Sequence, residues 1–327
     1  MLFSIPMQEK IKNALYAGII GDALGVPVES STRQQLALCS VKNMLGYGRW
    51  DQPEGTWSDD SSLTLCTMES LAKGYDIEDI GRTFCKWIFD GYWTSTGFVF
   101  DAGITTFMAL DKIRTDKISA LASGCGGEED IGNGSLMRMF PVAVYFNNEP
   151  IEPFLKSVHE ISAITHAHPR AKLGCGIYSL LVRELLGHKD KTEAYRACVK
   201  QAVDFYKPLP EYSGELRHFD RILSTGLADL KPDQIRSTGY LVDTLEASIW
   251  CLLNYSNTKD VLLAAVNLGM DTDTTGMVAG GLAGLHYGLE GVPESWLNSL
   301  ARKKDIDAMI EHFARVTVRR YNNLQKD

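Results

Sequence analysis

The sequence predicts an all-α protein whose helices pack into one compact unit. Apolar residues recur at helical spacing along most of the chain, and alternating strand patterns bounded by turns are nearly absent. With 327 residues, of which 45% are hydrophobic, the chain is long enough to bury a large core. No stretch has the composition of a flexible interdomain linker, so we expect residues 1–327 to form a single domain.

Helical spacing begins near the N-terminus, where Ile11, Leu15 and Ile19 recur at regular steps along one face. Further helices are predicted over residues 63–71, 240–253, 261–267, 278–286 and 305–319. Gly and Pro predict loops over residues 24–27, 45–55, 123–134 and 207–214. The glycine-rich stretch 123–134 is the longest candidate for a functional loop.

Composition excludes several classes of function. A net charge of −8 makes the chain a poor candidate for binding a nucleic-acid backbone, which needs an excess of Lys and Arg. An anionic small substrate is not excluded, because bound cations can reverse the sign of a local site. No apolar stretch has the ~20 residues of a membrane helix, and the N-terminus lacks a signal-peptide pattern. The seven cysteines contain no CxxC pair, so we expect neither disulfides nor a zinc site, in a cytoplasmic protein.

The first acidic cluster, Ser58-Asp59-Asp60, stands directly before a helical pattern. Ser and Asp are preferred N-cap residues, and acids near a helix start complement its dipole. Capping alone therefore explains this cluster when it is considered by itself.

The second acidic cluster, Asp271-Thr272-Asp273-Thr274, opens a helix rich in Gly and Ala. Capping explains one Asp and one Thr but does not require two aspartates. Interior glycines cost a helix about 1 kcal/mol each, and the usual reason to accept that cost is close backbone approach to a neighbouring helix or a ligand. An EF-hand is excluded because Leu282 stands where its loop needs Glu. A phosphatase of the haloacid-dehalogenase type is excluded because too little chain follows Thr275.

If the two clusters meet in space, four aspartates share one site. Two carboxylates ~4 Å apart repel by ~4 kcal/mol at an effective dielectric constant near 20, so such a site needs protons or cations. Oxygen ligands without Cys or His favour hard cations, namely Mg²⁺, Mn²⁺ or Ca²⁺. Spacing in the sequence does not establish that the clusters meet.

The motifs resemble those of the ADP-ribosylglycohydrolase family, of the type that reactivates ADP-ribosylated dinitrogenase reductase. The resemblance extends over nearly the whole chain, and the order of the motifs makes chance agreement a poor explanation. The matching segments are residues 18–29, 57–60, 97–106, 133–138, 165–166, 239–246 and 267–276.

The resemblance implies an orthogonal bundle of many helices around a central dinuclear metal site. It implies two divalent cations, Mg²⁺ or Mn²⁺, held by Ser58, Asp59, Asp60, Asp271, Asp273 and Thr274.

The resemblance also implies roles around the substrate. Glu29 corresponds to an acid on a mobile loop at the site entrance, and we expect catalysis to depend on it together with Asp59 and Asp60. His166 corresponds to a substrate-contacting histidine, and Asp101 to a position that reads a guanidinium group in arginine-specific members. The backbone cradle for the diphosphate corresponds to Asn133, Gly134 and Ser135.

Simpler interpretations remain open for three of these residues. Glu29 could be an ordinary loop acid, His166 a capping or surface histidine, and Asp101 the cap of a helix that begins near Ile104. The acidic insert, residues 128–130, has no role that the sequence assigns.

The expected activity is hydrolysis of the bond between ADP-ribose and an acceptor, with arginine side chains of modified proteins as the favoured acceptor. The expected partner is an ADP-ribosylated protein or small molecule, bound by a monomer. Three alternatives remain: an inactive member of the fold that binds ADP-ribose or serves a structural role, a hydrolase for serine or a small guanidino compound, and a metal-dependent phosphoesterase that uses the same carboxylates.

Overall fold

The computed structural model describes residues 6–187, 190–224 and 226–324. Across these ranges the chain forms 15 α-helices and seven short 3₁₀ helices. They contain no sheet, and their β-type pairing is limited to isolated bridges. The prediction of an all-α fold is therefore confirmed.

The helices follow one another with short connections. The α-helices are α1 (Met7–Gly25), α2 (Arg33–Leu38), α3 (Asp59–Lys73), α4 (Ile77–Asp90), α5 (Ile104–Arg114), α6 (Met139–Tyr145), α7 (Ile151–Ala163), α8 (Pro169–Gly187), α9 (Lys191–Tyr206), α10 (Pro210–Ser213), α11 (Leu241–Asn254), α12 (Thr258–Asn267), α13 (Thr272–Tyr287), α14 (Glu294–Asn298) and α15 (Lys303–Leu324). The 3₁₀ helices cover Val26–Val28, Gly48–Trp50, Ala120–Ala122, Asn133–Arg138, Leu216–Phe219, Leu227–Asp229 and Pro232–Gln234. No helix in the described ranges combines the length and apolar character needed to cross a membrane.

Helices α1 and α13 pack with their backbones in direct contact. A Cβ atom placed on Gly21 would lie 2.1 Å from the Gly276 carbonyl oxygen, and one on Gly276 would lie 2.4 Å from the Gly21 carbonyl oxygen. At the end of α1, a Cβ atom on Gly25 would lie 2.3 Å from the backbone nitrogen of Asp273. Only glycine allows these approaches, because any side chain would collide with the facing backbone. The close backbone approach that the glycines predicted is therefore present, and it holds the start of α13 against the end of α1.

The predicted helices are present, with differences at their ends. Helix α13 begins at Thr272 rather than near residue 278, and α15 extends beyond both predicted ends. The predicted loop at 24–27 is wrong in its first half, because α1 continues to Gly25 and a 3₁₀ turn follows. Pro27 fits that turn because the first turn of a helix does not need its N–H group.

The buried side chain of Trp57 anchors the start of α3. Its indole nitrogen donates to the Ala301 carbonyl oxygen at 2.8 Å, which ties the acidic cluster to the C-terminal helices. The six-residue turn Asn133–Arg138 packs against α3, α8 and α11 and ends in the fully buried Arg138. The loops before α3, before α13 and around this turn therefore meet at one position in the fold.

Candidate active site

The two acidic clusters converge at the N-termini of α3 and α13. Thr274 Oγ1 lies 3.4 Å from Asp60 Oδ2, although the two residues are 214 positions apart in the chain. Asp60 and Asp273 are both buried. The spatial meeting that spacing alone left open is therefore present.

Asp22 of α1 organises the first cluster. Its carboxylate accepts hydrogen bonds from the backbone nitrogens of Ser58 at 3.0 Å and Ser61 at 3.0 Å, and from the Ser61 hydroxyl. Ser58 caps α3, since its hydroxyl oxygen accepts from the Asp60 nitrogen at 3.2 Å. The capping interpretation of Ser58 is thus correct, and Asp22 is a site residue that sequence reasoning missed.

The second cluster follows a tight backbone turn. Gly269 and Met270 have φ angles of +83° and +63°, in the left-handed region that is costly for a residue with a side chain. Met270 exchanges backbone hydrogen bonds with Ser30 and Ser31, each at 2.7 Å. This turn brings Asp271 next to the loop that carries Glu29.

A cavity of about 270 Å³ opens onto both clusters. Nine of the twelve site residues named from the sequence form part of its wall, together with other glycines and residues at the start of α5. These nine are Glu29, Asp59, Asp101, Asn133, Gly134, His166, Asp271, Asp273 and Thr274.

Burial and mutual repulsion raise the pKa of the carboxyl groups at this site. Burial is the largest cause at Asp59, Asp60 and Asp273, whose pKa values lie well above their usual range. Burial raises the pKa of Asp22 to about 6, and burial and then Glu29 raise that of Asp101 to about 7. Without a compensating charge, these acids would hold protons near neutral pH.

The donor set fits hard divalent cations. Asp60 Oδ1 is a buried carboxylate oxygen without a hydrogen-bond partner among the described residues, and such atoms are normally satisfied. Carboxylate oxygens of Glu29, Asp101 and Asp273 lie within 4.8 Å of one another. Oxygen ligands at close spacing are what Mg²⁺ and Mn²⁺ require.

Glu128, His168 and Glu215 form a second group whose possible ligand atoms lie within 4.8 Å of one another. This group differs from the first because an arginine is bound to it. Arg170 lies between the two glutamates, 3.2 Å from Glu128 and 2.7 Å from Glu215. Its guanidinium already supplies the positive charge, so this group is an ion-pair network that fixes one end of the acidic insert.

Residues 4–323 match the family model described as ADP-ribosylglycohydrolase. The chain belongs to the ADP-ribosylglycohydrolase family. It is 31% identical over 308 residues to the ADP-ribosylarginine hydrolase Tri1 of Serratia proteamaculans (strain 568), covering 93% of this chain and 78% of that protein. It is 28% identical over 303 residues to the ADP-ribosyl-[dinitrogen reductase] glycohydrolase of Rhodospirillum rubrum, covering 89% and 92%. A solved structure titled ADP-ribosylglycohydrolase-related protein complex aligns with a TM-score of 0.78 and 28% identity, covering 95% of this chain and 99% of that one.

Glu29 of this glycohydrolase is half-buried at the cavity wall. The indole nitrogen of Trp50 donates to its carboxylate, and burial raises its pKa despite that hydrogen bond. The ring of Trp50 packs against Phe100, with 5.7 Å between their centroids. The interpretation of Glu29 as an ordinary loop acid therefore does not fit its surroundings.

Asp101 does not cap α5. The N-cap position is Gly103, which makes no side-chain capping bond. The Asp101 side chain instead lines the cavity beside Glu29 and Asp273. The capping alternative for Asp101 is therefore wrong.

The Asn133 side chain supports the second cluster of the glycohydrolase. Its amide nitrogen donates to Asp271 Oδ2 at 2.9 Å and to Thr244 Oγ1 at 2.8 Å. Its backbone nitrogen donates to the Gly239 carbonyl oxygen at 3.1 Å, so that N–H is occupied. The expected backbone cradle is thus corrected at Asn133, which contributes through its side chain.

Three residues named from the sequence lie behind the cavity wall. Ser58 and Asp60 sit one layer deeper, at the start of α3. The hydroxyl of Ser135 is 3.3 Å from Cys175 Sγ and accepts from Ser162 at 3.0 Å. The Ser135 side chain is therefore buried between α7 and α8, and the assignment of its backbone to the diphosphate cradle stays a prediction.

His166 is a buried residue whose ring forms part of the cavity wall. Thr165 Oγ1 lies 2.8 Å from its Nδ1 atom, and Arg138 donates to the same hydroxyl oxygen at 2.7 Å. Burial and then the Arg138 charge lower the pKa of His166 to about 3. The interpretation as a surface histidine is wrong.

The acidic insert, residues 128–130, is held at both ends by contacts with other parts of the chain, and its middle residue lines the cavity. Glu128 pairs with Arg170 at 3.2 Å, and Asp130 accepts from Thr105 at 3.1 Å, so both ends of the insert are held. Glu129, between them, is exposed and lines the cavity. The insert is therefore part of the cavity rim.

Proposed function

We propose that this glycohydrolase cleaves the bond between ADP-ribose and a guanidino nitrogen of arginine in modified proteins. The observation that carries the proposal is a buried carboxylate cluster that opens into one cavity, with Glu29 and Asp101 on its wall. Carboxylates bind guanidinium groups through paired, charge-assisted hydrogen bonds. The Serratia relative, which is named for ADP-ribosylarginine, supports arginine as the acceptor.

Two divalent cations, Mg²⁺ or Mn²⁺, are the proposed cofactors. The unpartnered Asp60 Oδ1 and the all-oxygen donor set support this assignment. When bound, the cations supply positive charge that orients the vicinal ribose hydroxyls and polarises the attacking water. The proposed ligands are Ser58, Asp59, Asp60, Asp271, Asp273 and Thr274.

Glu29 is the proposed general base. Its raised pKa brings its proton affinity closer to neutral pH, which suits proton transfer. The glycosidic C–N bond breaks through an oxocarbenium-like transition state, and the water oxygen bonds to the anomeric carbon. Glu29 takes one proton from that water and passes it to the departing guanidine nitrogen, so Glu29 returns to its ionised form and protons and charge balance.

The part of the cavity wall formed by Gly134 and His166 is the proposed binding surface for the ADP-ribosyl group. A Cβ atom on Gly134 would lie 2.9 Å from His166 Cε1, so glycine lets the His166 ring lie directly against this turn in the cavity wall. We assign Gly134 and His166 to contacts with ribose or diphosphate oxygens. Asp101 faces the acceptor, while Asp59 and Asp60 act through the cations.

The activity is tested by measuring free ADP-ribose released from an ADP-ribosylarginine peptide and a matched ADP-ribosylserine peptide. We expect release from the arginine peptide with Mg²⁺ or Mn²⁺ and none in EDTA. Binding of ADP-ribose without release would contradict an enzymatic role. Preference for the serine peptide would overturn the assigned acceptor, and release of AMP would indicate a phosphoesterase.

Residues 1–327 are proposed to act as one domain and as a monomer. The family match over residues 4–323 and the backbone contact between α1 and α13 support a single unit. The seven cysteines are free thiols, which is consistent with the cytoplasm as the proposed compartment.

A further inference from the structure

Arg138 is a buried cation without a carboxylate partner among the described residues. Its guanidinium donates to the carbonyl oxygens of Gly134 and Ile161 and, at 2.7 Å, to Thr165 Oγ1. It also stacks on Phe84, with 4.8 Å from its Cζ atom to the ring centroid. Because guanidinium has donors and no acceptor, the Thr165 hydroxyl oxygen must accept in this contact.

Because the Thr165 hydroxyl oxygen accepts from Arg138, the direction of the hydrogen bond between Thr165 and His166 is fixed as well. Thr165 is fully buried, and its hydroxyl has one further contact in the described chain, His166 Nδ1 at 2.8 Å. If Nδ1 carried a proton, the hydroxyl hydrogen of Thr165 would be buried without an acceptor, which is unfavourable. If Nδ1 is unprotonated, the Thr165 hydroxyl accepts from Arg138 and donates to Nδ1, so its hydrogen has an acceptor.

The ring proton of His166 therefore belongs on Nε2. No described side chain or backbone group accepts from Nε2, and the ring lies on the cavity wall beside Gly132 and Gly134. Backbone hydrogen bonds fix the chain on both sides of His166. The Cys125 nitrogen donates to the Thr165 carbonyl oxygen, and the Ala167 nitrogen donates to the Cys125 carbonyl oxygen. Burial lowers the pKa of His166 to about 3, so the ring is neutral at physiological pH.

We propose that Arg138 and Thr165 are positioning residues that hold His166 as the neutral Nε2–H tautomer, so that this N–H donates to an oxygen of the bound ADP-ribosyl group. The ligand part rests on the proposed function. The tautomer part does not, because it is a property of the free protein. The two parts can therefore fail separately.

The tautomer is tested by long-range ¹H–¹⁵N correlation NMR on the full-length protein, with His166 assigned by loss of its signals in His166→Asn. We expect Nε2 at the shift of a protonated ring nitrogen and Nδ1 at that of an unprotonated one. A protonated Nδ1, or an averaged mixture of tautomers, would overturn the proposal.

The role of the hydroxyl is tested by comparing Thr165→Val with Thr165→Ser. The serine variant should keep the tautomer, whereas the valine variant should show an averaged spectrum. An unchanged spectrum in Thr165→Val would contradict the positioning role. If Thr165→Val does not fold, the wild-type and Thr165→Ser spectra still decide, because loss of the Nε2–H form in the serine variant would also count against the proposal.

The donor role is tested by titrating free ADP-ribose into His166→Gln and His166→Asn. The Gln amide can reach the position of Nε2, whereas the Asn amide reaches that of Nδ1. We expect His166→Asn to bind about tenfold more weakly than His166→Gln, as expected for one lost hydrogen bond. Equal affinities would reject donation from Nε2, and an intact tautomer with no hydrolysis would reject the proposed function alone.

Discussion

The N-termini of α3 and α13 supply the two halves of the acidic cluster, but different contacts support them. At α3, Ser58 caps the helix and the buried Asp22 accepts hydrogen bonds from the backbone of the same turn. At α13, Asp271 makes no capping bond and is held by the Asn133 side chain at 2.9 Å. The first half extends ordinary helix capping, whereas the second depends on a loop far away in sequence.

The site therefore contains two kinds of residue: carboxylates that face the proposed cations, and residues that hold those carboxylates in place. Removing a carboxylate from either half should affect chemistry equally, because both halves face the same cations in the proposed function. Removing a supporting residue should affect the two halves differently, because Asp22 is charged and buried while Asn133 is neutral and lines the cavity.

The largest effect is expected from Asp60→Asn and Asp273→Asn, one in each half. Each should lower kcat/KM by about 10³-fold or more, since cation stabilisation of a transition state is worth several kcal/mol. Each should also stabilise the EDTA-treated protein, because a neutral amide replaces a buried acid that must either repel its neighbours or take up a proton on folding. Hydrolysis assays and urea unfolding measure the two effects.

Asp116→Asn, at an exposed position on the surface, is the matched control and should change neither quantity. Full activity in either site variant would remove that residue from the set of metal ligands. Destabilisation in EDTA would contradict the electrostatic account of the cluster.

The next effect concerns Glu29, which belongs to neither half. Glu29→Gln should lower turnover by 10²- to 10⁴-fold, the usual range for a lost general base. The dissociation constant for ADP-ribose should change little, because the amide has nearly the same shape. Trp50→Phe, which removes the hydrogen bond to Glu29, should have a smaller effect on turnover. Collapse of ADP-ribose affinity in Glu29→Gln would make Glu29 a binding residue.

A smaller effect is expected from the two supporting residues. Asp22→Asn and Asn133→Ala should each weaken Mn²⁺ binding by about 10- to 100-fold, as is typical for partners that orient metal ligands. Asn133→Ala should weaken ADP-ribose binding too, since Asn133 lines the cavity and Asp22 does not. Calorimetric titrations with Mn²⁺ and with ADP-ribose separate the two. Equal losses of Mn²⁺ affinity and of ADP-ribose affinity in both variants would refute the claim that the two helix starts are supported differently.

The smallest effect is the pH dependence of stability in EDTA. Unfolded carboxyl groups ionise near pH 4, whereas burial raises the pKa of Asp22 to about 6 and that of Asp101 to about 7. Between these values the folded protein binds more protons than the unfolded one, so stability falls as pH rises. We expect the free energy of unfolding in EDTA to fall between pH 5 and pH 8, measured by urea unfolding, and saturating Mg²⁺ should reduce the fall. A rise in EDTA over this range would contradict the raised pKa values.

The sequence predicted the parts of this site that follow local rules. Ser58 before a helical pattern is a recognisable cap, and the glycines of α13 correctly indicated a close backbone approach, now seen between Gly21 and Gly276. The family resemblance named the acids around the cavity. These predictions needed only neighbouring residues or a matching motif.

The remaining features depend on contacts that sequence patterns do not encode. Asp22 lies in a helical run, and nothing nearby indicates that its carboxylate bonds to a turn 36 positions away. The Asn133 side chain reaches Asp271 across 138 positions, and the backbone interpretation therefore missed it. The Ser135 hydroxyl contacts Cys175 Sγ across 40 positions, a side-chain contact that its motif does not indicate.

The most direct test of the cation site is anomalous diffraction from crystals soaked in Mn²⁺. We predict two anomalous peaks at the N-termini of α3 and α13, one of them within coordination distance of Asp60 Oδ1. Their absence from Asp60→Asn crystals soaked in parallel would tie the peaks to that carboxylate. No peak at this position, or Mn²⁺ at Glu128, His168 and Glu215 instead, would contradict the claim that the two helix starts form a cation site.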